Sequence, residues 1–376
     1  MIFNRIQTQT MQKKMKLPVP DYILSIKPYV PGKPIEELER EYGISEAVKI
    51  ASNENPLGPS PLAVRAVQEA IGNLHRYPDG SGHALIDKIS KHLGVAPGQV
   101  VLGNGSDEII GMLTRVFLQP GDEVILPRPS FLMYEILTRS AGARPVFVPL
   151  KSLGLDLDRI SEMIGPNTRM IFVCNPNNPT GTIISGSRFE RFMENIPSQV
   201  VVVVDEAYIE FVRDPDCAHS FDHLNSGKAI VSLRTFSKIY GLAGLRIGYG
   251  IMPEYISGLL NRVRQPFNAN SLAQAGACAA LDDTAFFQKT LRVIHEGLDY
   301  LFEALSKRGI RYFKTQANFF LIDVKKSADE VFESLLREGI IVRSMASYGF
   351  PEYIRINVGL PEENALFIQA LEKILP

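Results

Sequence analysis

A lysine that follows a short apolar run has unusual neighbours. Lys238 ends the stretch Thr235-Phe-Ser-Lys, and Gly241, Gly244 and Arg246 come soon after it. A lysine that forms a Schiff base needs a sheltered site and nearby positive charge, which favour its neutral, nucleophilic form. Arg246 could supply that charge and bind a phosphate. The spacing matches neither a Walker loop nor a Gly-x-Gly-x-x-Gly fingerprint, so a phosphate-binding loop and an ordinary glycine-rich turn both stay open.

A carboxylate follows the strongest apolar run of the chain. Asp205 comes directly after Val200–Val204, and the carboxyl end of a parallel strand is where open α/β sheets bind ligands. Aspartate is equally suited to a helix N-cap. An anion at this place could keep a pyridinium nitrogen protonated, and a protonated ring accepts electrons from a carbanion. Tyr208 could then donate a hydrogen bond to a phenolate oxygen on the same ring.

Two polar turns also follow predicted strands. The first runs from Asn175 to Gly181, and its composition is typical of a loop, although the Asn178 amide could also bind a phenolate oxygen. The second, Gly103–Asp107, leads into a predicted helix. Glycines there let backbone N–H groups at a helix N-terminus approach an anion. Ser106 on its own is also interpreted as a plain N-cap.

The pattern of apolar runs predicts an α/β fold in two domains. With 376 residues the chain is too long for one simple core. Short apolar runs alternate with helical patterns in the middle of the chain, the βαβ rhythm of a buried, mostly parallel sheet. We expect a large domain at 50–265, a small α+β domain from 17–49 and 266–376, and a flexible extension at 1–16. The predicted strands of the large domain are Val100–Leu102, Glu123–Leu126, Pro145–Val148, Met170–Cys174, Val200–Val204, Ala229–Leu233 and Ile247–Ile251.

Composition argues against several other classes of protein. The formal net charge is −1, so neither nucleic acid nor an anionic membrane is expected as a partner. We find no run of about 20 apolar residues and no secretory signal at the N-terminus. Three widely spaced cysteines give neither metal-ligand spacing nor a disulfide framework. We therefore predict a cytoplasmic protein without a metal site.

Taken together, the anion turn, the asparagine turn, the Asp-Tyr pair, the lysine loop and the arginine follow one order along the chain. From about Pro28 to its end, the chain resembles the fold-type I aminotransferases of classes I and II, which depend on pyridoxal 5′-phosphate (PLP). The resemblance implies that Lys238 forms the Schiff base and that Asp205 pairs with the pyridine nitrogen. It places Asn178 and Tyr208 at the ring oxygen and Phe131 against the cofactor face. The groups that it places around the phosphate are Ser106, Asp107, Thr235, Ser237 and Arg246.

Four stretches are similar to the histidinol-phosphate aminotransferase family in particular. Three of them are Asn53-Glu-Asn-Pro-Leu-Gly-Pro, Arg76-Tyr-Pro and Asp205-Glu-Ala-Tyr-Ile-Glu-Phe. The fourth begins with Arg234-Thr-Phe-Ser-Lys and continues to Tyr249. The resemblance implies a homodimer in which Tyr77 reaches the cofactor phosphate of the partner subunit. It also implies a set of substrate-binding residues, which are Tyr29, Asn53, Arg343 and Arg355.

The implied reaction moves an amino group between L-histidinol phosphate and 2-oxoglutarate, giving imidazole-acetol phosphate and glutamate in histidine biosynthesis. Phe131 departs from the family pattern, because some members carry tyrosine there. The 344–351 stretch also varies among relatives. Aromatic amino acid transamination and decarboxylation of a phosphorylated amino acid such as phosphothreonine therefore stay open as alternatives. A more distant alternative is a nucleotide-binding α/β protein that uses no PLP.

Overall fold

The structure is a computed structural model and describes residues 17–29, 34–43 and 47–375. The predicted extension at 1–16 lies outside these residues. Within them no helix is long and apolar enough to cross a membrane. The α-helices are α1 Asp21–Leu24, α2 Ile35–Tyr42, α3 Pro61–Ala70, α4 His83–Leu93, α5 Ser106–Phe117, α6 Leu132–Ser140, α7 Leu157–Glu162, α8 Gly186–Glu194, α9 Glu254–Val263, α10 Ser271–Asp282, α11 Thr284–Lys307, α12 Ala328–Arg337 and α13 Pro361–Ile374.

The strands of the described residues form three sheets. Their bounds are β1 Val48–Lys49, β2 Val100–Gly103, β3 Glu123–Arg128, β4 Arg144–Pro149, β5 Thr168–Cys174, β6 Val201–Asp205, β7 Ile230–Thr235, β8 Gly248–Ile251, β9 Arg311–Tyr312, β10 Phe319–Asp323, β11 Ile340–Ile341, β12 Arg343–Ser344 and β13 Tyr353–Asn357.

A seven-stranded sheet forms the centre of the molecule, in the order β2-β8-β7-β6-β5-β3-β4. β8 runs antiparallel to both its neighbours and the other pairs are parallel. The valines of β6 are buried on both faces of the sheet, as its unbroken apolar run predicts. Each of the seven strands predicted for this region is present within about two residues, and the mostly parallel, mixed α/β fold is confirmed.

The strand order explains why the polar turns meet. β5, β6 and β7 are neighbours and run in the same direction, so their carboxyl ends lie side by side at one edge of the sheet. Asn175 follows β5, Asp205 ends β6, and the loop with Lys238 follows β7. Residues that lie far apart along the chain are thereby brought to one edge.

A second sheet has the order β12-β13-β10-β9 and is antiparallel. It carries α12 and α13, and the long helix α11 packs against α13 and β9. By contrast, α10 lies beyond residue 265 but packs against α3 and α4. The division of the chain into two domains at 265 stays a prediction.

The early segment contains a helix that the sequence analysis did not predict. This is α2, which ends at Tyr42 and is capped by Gly43 in the left-handed region at φ 66°. Only Leu38 of this helix is buried, so the apolar signal was weak. The two-residue strand β1 pairs in parallel with β11 and attaches this segment to the C-terminal part of the chain.

Candidate active site

A cavity of about 210 Å³ opens at the carboxyl edge of the large sheet. All ten residues that the sequence assigned to the cofactor within one subunit line it. They are Ser106, Asp107, Phe131, Asn178, Asp205, Tyr208, Thr235, Ser237, Lys238 and Arg246.

Lys238 lies in the loop after β7 and is half-buried. Its Nζ donates a hydrogen bond to the Ser52 carbonyl oxygen at 3.4 Å and lies 5.6 Å from the centre of the Tyr208 ring. Burial lowers the pKa of the ammonium to about 8, and the positive charge of Arg355 acts in the same direction. The site therefore favours the neutral amine, the form that attacks a carbonyl.

The N-terminus of α5 and the loop after β7 together form an anion cup. Gly105 adopts φ 79°, and a Cβ there would lie 2.5 Å from the Arg246 guanidinium. Glycine suits this position because residues with a side chain rarely adopt a φ of 79°. Thr235 and Ser237 are buried beside it, and the Thr235 hydroxyl accepts a hydrogen bond from the Ser237 N–H at 3.0 Å. Hydroxyls, an arginine and a helix N-terminus are groups that bind phosphate.

Asp205 lines the same cavity as the cup and is 5% exposed. Its Oδ2 accepts a hydrogen bond from the Tyr134 hydroxyl at 2.6 Å, and its Oδ1 accepts one from the Ala207 N–H at 3.1 Å. Burial raises the pKa of the carboxyl to about 6, while these two hydrogen bonds oppose the rise. Although Asp205 bonds a backbone N–H two residues on, the side chain also faces the cavity, so helix capping is not its only available role.

Two separate hydrogen-bonded pairs lie beside Lys238, one between Asn53 and Tyr208 and one between Arg355 and Asn178. Asn53, whose backbone adopts φ 56°, donates a hydrogen bond from Nδ2 to the Tyr208 hydroxyl at 3.0 Å. Arg355 donates from Nη1 to the Asn178 Oδ1 at 2.6 Å and from Nη2 to the Ala51 carbonyl oxygen at 2.9 Å. With its oxygen occupied, the Asn178 amide has its Nδ2 donor left for another partner.

A second cavity of about 140 Å³ shares Ser52, Phe131, Asn178, Tyr208 and Lys238 with the first. The four residues that the sequence assigned to the substrate line it, and these are Tyr29, Asn53, Arg343 and Arg355.

The two arginines stand directly opposite each other on neighbouring antiparallel strands, because β12 pairs with β13 with Arg343 against Arg355. Opposed residues of an antiparallel pair project from the same face, where like charges repel. Burial lowers the pKa of Arg355, and the charge of Arg343 lowers it further. An anion in this cavity would offset that repulsion.

Tyr77 lies outside both cavities. It is 83% exposed, and its ring stacks on Phe267 with centroids 4.7 Å apart. It is thus the member of the predicted set that the single chain does not bring to the site.

Sequence reasoning missed two tyrosines. Tyr134 lies in the first turn of α6, three residues after Phe131, and its ring is stacked on Phe172 at 4.5 Å. An aromatic residue at this place in a helical pattern is typical of the core, so the sequence did not single out Tyr134. Tyr348 lies in a single turn of 3₁₀ helix, Ala346–Tyr348, and lines the substrate-side cavity with both arginines. No periodic pattern marks such a short turn.

Comparison with known proteins places this arrangement in a family. Residues 45–371 match the aminotransferase class I and II family. The chain belongs to this family. It is 47% identical to a histidinol-phosphate aminotransferase of Desulfotalea psychrophila over 365 residues, 96% of each chain. It is also 47% identical to one of Moorella thermoacetica, over 94% of this chain and 92% of the relative.

A solved aminotransferase structure resembles the fold over almost its whole length. It is the histidinol-phosphate aminotransferase of Sinorhizobium meliloti in complex with pyridoxal 5′-phosphate, with a TM-score of 0.88 and 27% identity, covering 96% of this chain and 98% of that one. The cofactor of the aminotransferase described here is PLP. The family assignment also excludes the alternative of a nucleotide-binding protein that uses no PLP.

The residues of the cavity fit this cofactor. The anion cup suits a phosphate, because the N-terminus of α5, the Arg246 guanidinium and the Thr235 and Ser237 hydroxyls line one cavity. Lys238, with its lowered pKa, suits bond formation with an aldehyde. Asp205 provides the carboxylate that a ring nitrogen requires.

Proposed function

We propose that this aminotransferase transfers the amino group of L-histidinol phosphate to 2-oxoglutarate, giving imidazole-acetol phosphate and glutamate in histidine biosynthesis. Relatives that carry this activity in their names are 47% identical over 94–96% of the chain. Neither aromatic amino acids nor decarboxylation of phosphothreonine has comparable support.

One observation carries the proposal, the opposed pair Arg343 and Arg355 in the cavity next to Lys238. Histidinol phosphate brings a phosphate and no carboxylate, whereas 2-oxoglutarate brings two carboxylates. The planar fork of arginine binds either group through two parallel hydrogen bonds. Two cations on one face therefore suit a pocket that must accept both substrates in turn.

The chain's residues act on this substrate in defined places. When bound, PLP supplies an electron sink for the carbon that carries the amino group. Lys238 Nζ removes the proton from that carbon and later returns it, and its lowered pKa leaves a usable neutral fraction near pH 7. Asp205 would pair with the pyridine nitrogen, Asn178 and Tyr208 would hold the ring oxygen, and Phe131 would pack on the ring. Ser106, Asp107, Thr235, Ser237 and Arg246 would hold the phosphate.

We further propose a cytoplasmic homodimer in which Tyr77 binds the cofactor phosphate of the partner subunit. Tyr77 and Phe267 are a stacked aromatic pair on the surface. The preceding segment also exposes Leu62, Val64, Ile71 and Leu74. An apolar surface of this kind is typical of a protein–protein interface.

A substrate panel tests the reaction. The purified PLP-loaded enzyme is given histidinol phosphate, histidinol, phenylalanine, tyrosine or phosphothreonine, each with and without 2-oxoglutarate, and both glutamate and released CO₂ are measured. We expect the highest kcat/KM for histidinol phosphate and no CO₂ from any substrate. A higher kcat/KM for phenylalanine, or CO₂ release from phosphothreonine without 2-oxoglutarate, would contradict the proposal.

A further inference from the structure

The hydrogen bond between Tyr134 and Asp205 has no part in the reaction described so far. Tyr134 is 1% exposed, and its hydroxyl lies 2.6 Å from Asp205 Oδ2. Its ring is fixed from two sides, by Phe172 at 4.5 Å in a stacked arrangement and by Phe131 at 5.5 Å edge-on. A buried ring with this packing holds its hydroxyl in one place.

The groups around Asp205 make its ionised form depend on the Tyr134 hydroxyl. The carboxylates of Asp107, from α5, and Glu206, the next residue, both raise the pKa of Asp205. On β5, Cys174 is neutral, since burial raises the pKa of its thiol to about 12. Against burial and these two anions, the Tyr134 hydroxyl is the strongest of the groups that favour the carboxylate form, followed by the Ala207 N–H.

We propose that Tyr134 is a positioning residue whose hydroxyl keeps Asp205 ionised and oriented, and so keeps the shared proton on the pyridine nitrogen of the bound cofactor. The inference rests on the proposed role of Asp205. A donor hydrogen bond makes the carboxylate a weaker base, so the proton between Asp205 and the ring stays with the ring. Without the hydroxyl, the proton moves toward Asp205 and the ring becomes a poorer electron sink.

The size of the effect follows from the strength of such bonds. A hydrogen bond to a charged group changes an equilibrium by roughly 10- to 150-fold. We expect Tyr134→Phe, which keeps the ring and removes only the hydroxyl, to change the partition of that proton by about this factor. The apo-protein should bind the cofactor more weakly, because a less charged ring pairs less strongly with Asp205.

The test loads the apo-protein with PLP labelled with ¹⁵N in the ring and measures the ¹⁵N chemical shift of the ring nitrogen at neutral pH. We expect the value of a protonated ring for wild type and a clear shift toward the unprotonated value for Tyr134→Phe. The matched control is Tyr249→Phe, since Tyr249 is also buried, at 3% exposure, in β8 of the same sheet. It should keep the wild-type shift.

Further variants separate the possible failures. If Asp205→Asn leaves the ring nitrogen as in wild type, Asp205 does not face it, and both the proposed role and this inference are wrong. If Asp205→Asn removes the proton while Tyr134→Phe behaves as wild type, this inference alone is wrong. Should Tyr134→Phe fail to fold, judged by thermal melting of the apo-protein, a fluorinated tyrosine at 134 replaces it. The more acidic phenol donates a stronger bond, so the nitrogen should stay protonated, and a less protonated nitrogen would overturn the inference.

Discussion

Burial changes the acidity of Lys238 and Asp205 in opposite directions. It lowers the pKa of the lysine to about 8 and raises that of the aspartate to about 6. Both changes have the same cause, because a buried site disfavours the charged form of either group. Two groups brought toward neutrality in one cavity are typical of a site that moves protons.

The pKa of Lys238 predicts how fast the apo-protein takes up PLP at different pH values. Only the neutral amine attacks the aldehyde, and its fraction rises as pH rises through the pKa. At pH 7 about a tenth of a lysine with a pKa of 8 is neutral, against less than about a thousandth of an ordinary lysine. The uptake rate should therefore rise up to about pH 8 and then level off. Stopped-flow absorbance of apo-protein mixed with PLP measures it.

Arg355 offers a control on the cause of that pH dependence. Its charge is the second influence on Lys238, after burial. Arg355→Gln should move the midpoint of the uptake curve to higher pH, as should any change that removes a cation from beside the amine. A wild-type curve that continues to rise toward pH 10, as for an exposed lysine, would show that the amine is not perturbed.

The sequence identified Asp205 because it comes directly after an unbroken run of valines, and Lys238 because hydroxyl residues and glycines surround it in the loop after β7. Tyr134 gave no such signal. An aromatic residue on the inner face of a helix is compatible with plain packing, and only the pairing of α6 with the end of β6 shows that its hydroxyl meets a carboxylate. Roles of this kind depend on contacts between distant segments, which spacing along the chain does not encode.

At the scale of elements, the same reasoning explains which strands were predicted. β6 is a run of valines, which favours a buried strand over any other element, and its predicted bounds differ from the observed ones by one residue. β1 and β9 have two residues each, too few for a period of two to be recognised. β1 matters despite its length, because it carries the chain directly to Ser52 and Asn53 in the site.

Because β12 pairs with β13, Arg343 lies beside Arg355 in the substrate-side cavity, and this predicts how Arg343 affects substrate choice. Arg343→Gln should lower kcat/KM for histidinol phosphate by roughly 10- to 150-fold, since a charge-assisted contact to phosphate contributes about 1.5–3 kcal/mol. The loss for unphosphorylated histidinol should be much smaller, because it lacks the anion. Steady-state kinetics with both substrates provide the comparison.

Arg337→Gln serves as the matched control, because Arg337 is an exposed arginine in the last turn of α12. Its kinetics should equal those of wild type with both substrates. Equal losses for the phosphorylated and unphosphorylated substrates in Arg343→Gln would remove Arg343 from the phosphate site and leave it a structural cation.

At the scale of the whole molecule, the site lies where the large sheet meets the antiparallel sheet. Lys238 and Asp205 come from the former, and Arg343 and Arg355 from the latter. Relative movement of the two sheets would therefore change the distance from the arginines to Lys238. In the proposed dimer Tyr77, which faces solvent in the single chain, would come to the site from the partner subunit.

Subunit mixing tests whether Tyr77 serves the neighbouring site. Lys238→Ala and Tyr77→Phe chains, each impaired alone, are mixed under conditions that exchange subunits. In a heterodimer one site would carry both lesions and the other neither, so an equal mixture should recover about a quarter of the wild-type sites.

A mixture of Lys238→Ala with Asp205→Ala is the control, because both lesions belong to the chain's own site and every heterodimer site keeps one of them. If activity recovers in the first mixture but not in the control mixture, Tyr77 acts across the interface. Equal activity in both mixtures, with exchange shown by native mass spectrometry, would mean that each chain builds its phosphate site without its partner and that the stacked pair Tyr77 and Phe267 has only a structural role.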